Sequence, residues 1–192
     1  MEQPALYFKK LRGADNVNWR ISASYQGAFQ PTEGYWFTEN PVVVMGGNLS
    51  QATGRLAQRL YGMRLDERIV AVEYLATVPE EWFGERKDEQ KADFVSEFVL
   101  WLAKVFGRAN IMCVLFGRHA ETGEFGAWAL VTPVTEAGRL VCGPWFSPSE
   151  KHDAYRKEFL KAVRSINPSA ATIFDANDHR PVHAVELTVE VA

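Results

Sequence analysis

Arg68-Ile-Val-Ala-Val-Glu-Tyr-Leu75, continuing as Ala-Thr-Val-Pro-Glu-Glu-Trp82, is the stretch whose reading decides the fold. A run of β-branched, aromatic and small apolar residues without helical spacing reads as a strand covered on both faces. Glu73 is the one charge inside it, on the face shared with Ile69, Ala71 and Leu75. Two readings of Glu73 stand side by side: an acid kept on an active face, or half of a strand-edge ion pair. Val78-Pro79-Glu80-Glu81-Trp82 then turns the chain.

Downstream, residues 87–106 form an amphipathic helix, with Phe94, Phe98, Leu102 and Val105 on one side and Gly107 as its stop. Ile111–Phe116 is a buried strand, Gly117–Gly126 a turn, and Ala127–Val134 its returning partner. Ser147-Pro-Ser-Glu150 opens a further helix that ends near Val163, before Asn167-Pro168. His183–Val191 alternates as a last strand. Upstream, Ala5–Lys9 suits a first strand, and residues 13–46 read as loop with Pro41–Met45 as the best strand in it. Ser50 can cap a helix running to about Tyr61. This order predicts an α+β fold over residues 1–192 as one domain, a mostly antiparallel sheet backed by helices.

Composition narrows the function classes. The 192 residues are 47% hydrophobic and 23% charged, ordinary for one globular core. A net charge of −3 argues against a surface that wraps nucleic acid over its whole extent, though not against a local basic patch. Cys113 and Cys142 lack metal spacing and read as reduced thiols. The first residues show no signal-peptide pattern and no apolar run approaches the ~18 residues of a membrane span. A cytoplasmic protein away from membranes is expected. No P-loop, GxGxxG or catalytic-triad spacing occurs, so no cofactor is expected. His179 and His183 are four apart, but Pro181 between them breaks a shared helical face.

Three stretches resemble the relaxase domain of plasmid mobilisation (Mob/Pre, MobV-type) proteins. They are Arg68–Phe83, Trp101–Val134, and Thr135-Glu-Ala-Gly-Arg-Leu140 followed by Pro144-Trp-Phe146 and a helix. Lys9-Lys10-Leu11 and Gly46-Gly47 add weaker matches, and the likeness runs in order from about residue 5 to 165. It implies a relaxase fold, HUH nuclease-like with a ferredoxin-like palm. It also implies metal-assisted phosphoryl chemistry in a hairpin that carries three histidines. Laid on this chain, the first histidine falls on His119 and an acid on Glu121, while the other two fall on Gly126 and Trp128. Neither glycine nor tryptophan offers a lone pair to a metal, so His119 is a remnant and no metal site is expected. Alternation puts Gly126, Trp128, Leu130 and Thr132 on one face of their strand.

The family's nucleophile, a histidine or in some relatives a tyrosine, lies in a loop matched by Asn16–Gln26, where Tyr25 is the candidate. These departures lead to the expectation of a relaxase-like protein that is not an enzyme. It would bind single-stranded DNA or a protein partner through Trp19, Arg20, Tyr25, Trp36, Glu73 and Trp128, with no oligomeric state implied. Two alternatives stay open: a mobile-element inhibitor of a host defence acting by protein contact, and an active DNA-nicking relaxase that uses Tyr25. The family continues into a long helical region after this domain, and the present sequence ends short of it.

Overall fold

The computed structural model describes residues 4–12, 41–65, 68–83, 85–118 and 123–167. Five strands form one antiparallel sheet: β1 (Ala5–Arg12), β2 (Val42–Met45), β3 (Ile69–Val78), β4 (Ile111–Arg118) and β5 (Phe125–Val131). Their order across the sheet is β1-β3-β5-β4-β2. The expected hairpin of β4 and β5 forms, and β3 pairs with β5, so these three strands are the centre of the sheet. β3 runs three residues beyond Leu75, and every residue after Ile69 is buried, as its unbroken apolar run requires.

Helix α1 (Leu49–Arg59) begins one residue before the expected cap. Its N-cap is Asn48 rather than Ser50. The Asn48 side chain accepts from Gln51 N at 3.0 Å, and Gln51 Oε1 accepts from Asn48 N at 2.9 Å. That reciprocal pair satisfies two helix-end donors at once, which a lone serine cannot do. Gly46 and Gly47, at φ of 81° and 77°, turn β2 into this cap. Helix α2 (Lys87–Phe106) keeps its expected limits and ends at Gly107, φ 81°. A four-residue helix α3 (Gly143–Phe146) was not foreseen. Helix α4 (Ser149–Ile166) runs one turn longer than expected and closes on Asn167, whose side chain donates to the Trp82 carbonyl.

Two cores lie on opposite faces of the sheet. On one face Leu6, Val72, Tyr74, Val114 and Ala129 pack with Phe94, Phe98 and Leu102 of α2 and with Phe159 and Val163 of α4. On the other, Ala71, Leu75, Cys113, Leu115, Trp128 and Leu130 pack with Ala52 and Leu56 of α1 and with Leu60 at its C-cap. Asn110 locks the entry to β4. Its side-chain amide donates to Phe106 O at 2.7 Å and Val134 O at 2.6 Å, and its backbone carbonyl accepts from Thr132 N. Thr132 in turn donates to Val70 O at 2.8 Å. The segment expected as a last strand, His183–Val191, lies outside the described residues.

Candidate nucleic-acid interface

Register across the three central strands assembles the α1-side face in rows. Thr77, Gly126 and Gly117 stand level, then Leu75, Trp128 and Leu115, then Glu73, Leu130 and Cys113. The expected alternation of Gly126, Trp128 and Leu130 is therefore observed. Trp128 is 1% exposed and Glu73 is 2% exposed, so both belong to the interior of this face and present almost no surface. The remaining residues singled out in the sequence, Trp19, Arg20, Tyr25, Trp36 and His119, lie outside the described residues.

The hairpin end of the sheet carries a different chemistry. Phe116 and Phe125 stack with centroids 5.8 Å apart, and Phe83 meets Phe125 edge-on at 5.3 Å. Lys91 Nζ lies 4.2 Å from the Phe125 centroid, and the Arg118 guanidinium lies 5.6 Å from it. Arg118 also donates to Gly123 O at 2.9 Å and pairs with Glu80, which fixes its position beside the turn. The two rings are half-buried against the α2-side core, and the cations beside them are paired, Lys91 with Asp88 at 3.8 Å and Arg118 with Glu80. Sequence reading missed this group, because Lys91 comes from α2 and reaches the hairpin only through tertiary packing. Phe116 and Phe125 at opposite ends of one short turn were the available signal.

Burial, before any other influence, pushes the Cys113 thiol up to about 12 and the Cys142 thiol up to about 11, so both stay protonated.

No family model matches the chain, and no curated protein matches it. Solved structures do. One is the MobM relaxase domain (MOBV; Mob_Pre) bound to plasmid pMV158 oriT DNA, Mn-bound at pH 6.8. It superposes with a TM-score of 0.66 at 11% identity, over 85% of this chain and 86% of that one. The same domain with 22-nucleotide oriT DNA, Mn-bound at pH 5.5, gives 0.62 at 14% identity, over 85% and 86%. A complex with 26-nucleotide oriT DNA gives 0.56 at 16% identity, over 85% and 87%.

Two of those complexes are Mn-bound. Gly126 and Trp128, where the resemblance puts ligands, carry no donor a metal would take. A Cβ at Gly126 would stand 3.2 Å from Leu75 Cδ1, so a larger side chain there needs Leu75 to move. Among the described residues no group of three or more His, Cys, Asp or Glu side chains could hold an ion.

One expectation needs correction. The chain was expected not to be an enzyme, on the strength of two replaced histidines and a missing nucleophilic histidine. The match runs instead along most of both chains to relaxase domains caught on their DNA, which points against that expectation. Its weakness is physical: a motif alignment fixes ligand positions only to within a residue or two at a turn, and a ligand supplied by a neighbouring strand or loop escapes it. The Mob/Pre resemblance itself holds, at the level of the fold. This chain has the fold of the MobM relaxase domain, carried by its five described strands and flanking helices at only 11% sequence identity.

Proposed function

We propose that this protein is a DNA-processing relaxase, which binds single-stranded DNA at the hairpin end of its sheet and nicks it with Tyr25. The observation that carries the reading is the superposition on relaxase domains bound to oriT DNA, over 85% of this chain. The stacked pair Phe116 and Phe125, with Lys91 and Arg118 beside it, supports DNA as the partner. Tyr25 supplies the nucleophile type that some of the resembled relaxases use. Its phenol oxygen attacks the scissile phosphorus, a P–O bond to one deoxyribose breaks, and that leaving oxygen takes up a proton. One strand end stays joined to the tyrosine, so the phosphodiester energy is kept for rejoining.

The test is covalent capture. Labelled single-stranded oligonucleotide should migrate with the protein on a denaturing gel, and Tyr25→Phe should abolish that band while binding persists. Wild-type protein that neither retains label nor cuts supercoiled or single-stranded DNA, with several divalent cations supplied, would sink the nicking half of this reading. Failure to bind DNA at all would sink the whole of it.

A further inference from the structure

At the end of β4 remote from the hairpin, an open cleft of about 630 Å³ separates α1 from the exit of β2 and the turn at residues 108–110. Arg55, Arg59 and Arg108 line it together with Gln58, and Met45 and Met112 give it an apolar side. The whole chain carries a net charge of −3, yet no carboxylate is among the lining residues. Two of the arginines are already held in place. Arg55 donates to the Met112 carbonyl, and Arg59 donates through Nε and Nη2 to Asn110 Oδ1 at 3.3 and 3.2 Å.

Both acceptors are neutral amide oxygens, so these bonds leave each guanidinium's charge in place. Each has five N–H donors and spends only one or two of them. Arg108 stands exposed at the mouth. Three cations concentrated on an otherwise acidic protein, two of them oriented before any ligand arrives, are arranged for repeated anionic groups. The match is a chain of phosphodiesters, with sugar or base edges against the two methionines.

We propose that this cleft is a second DNA-binding site, which holds backbone phosphates of the single strand outside the reacting region. It rests on the DNA-processing reading and deepens it. From Met112 to Arg118, β4 spans roughly 20 Å at the usual strand rise.

The experiment measures binding and capture separately, using labelled single-stranded DNA of the 22-nucleotide length seen in the MobM complexes. Arg108→Ala removes one cation, and Gln58→Glu places a carboxylate in the cleft; both positions are exposed, and a melting curve checks that each variant folds. Each variant should bind several-fold more weakly than wild type. For Arg108→Ala the slope of log K against log salt should become shallower by about 0.7, the share of one phosphate contact to a single strand. Arg108→Lys should recover most of the slope. Covalent capture at saturating DNA should be unchanged in all three. Folded variants with wild-type affinity and slope overturn the cleft and leave the proposed function standing. Wild type that binds with an Arg108-dependent slope but forms no adduct supports the cleft while the nicking reading falls. Absence of any DNA binding overturns both.

Discussion

His152 and Tyr74 share a hydrogen bond of 2.9 Å inside the core, ringed by Phe8 and Phe146. Desolvation chiefly, with Arg156 and Lys10 adding to it against Asp153, lowers the His152 pKa to about 4. The unfolded chain binds that proton near pH 6.5 and the folded chain only near pH 4, so protonation favours unfolding across this interval. Stability should therefore decline as pH falls from about 6.5 to about 4 by at most about 3 kcal/mol from this residue. Urea melts of wild type and His152→Gln should show it: the variant, lacking the titration, loses less stability over that window. Trp128 makes a second case. Its replacement by alanine should cost about 3–5 kcal/mol, because a buried indole leaves a large void. A Trp128→Ala protein with native stability would show that the side chain serves a surface. Neither residue's environment was legible in the sequence, since a lone histidine in an amphipathic helix looks the same whether it meets solvent or a tyrosine 78 residues away.

At the scale of elements, local patterns carried further. α2 could be read to the residue because its apolar spacing, its glycine stop and the strand after it agree. The start of α1 was misplaced because Asn48 and Ser50 are both good caps, and only the partner Gln51 separates them. Asn48→Ala should lower the melting midpoint by the equivalent of about 1 kcal/mol, with Gln51→Ala less damaging because the asparagine bond survives. α3 escaped notice, as four residues carry too little periodicity to be seen; its Trp145 is fixed by donating to Val105 O at 2.7 Å. Asn110 was likewise invisible, a polar residue in a short turn. Asn110→Leu should destabilise by roughly 1–3 kcal/mol by orphaning the Phe106 and Val134 carbonyls, and thermal melts would measure it.

For the molecule as a whole, strand order follows from pairing, and the sequence supported it at the centre of the sheet more than at its rims. Ile111–Phe116 and Ala127–Val134 read as hairpin partners, and β4 and β5 do pair, with β3 on the other side of β5. The site was less legible than the fold, because Lys91, Arg118, Phe116 and Phe125 on one side, and Arg55, Arg59 and Arg108 on the other, meet only after the helices dock. Native-state hydrogen exchange should rank β3 and β5 amides as most protected, with β2 opening well before global unfolding. Equal protection across all five strands would contradict the two-sided burial described for the centre.

The sheet order also sets a schedule for synthesis. β1 and β2 are made first, yet β1 waits for β3 and β2 waits for β4, which ends at Arg118. Both early strands therefore leave the ribosome long before these described partners exist, at the usual pace of about 5–20 residues per second. β2 is the more hazardous of the two, since Val42, Val43 and Val44 stay solvent-facing even in the finished sheet, Val42 at 63% exposure. Such a strand can meet a second nascent copy before its own β4 arrives. Charged substitutions at Val42 or Val44 should therefore raise soluble yield in fast expression while leaving the purified protein's melting temperature nearly unchanged. The advantage should shrink when translation is slowed.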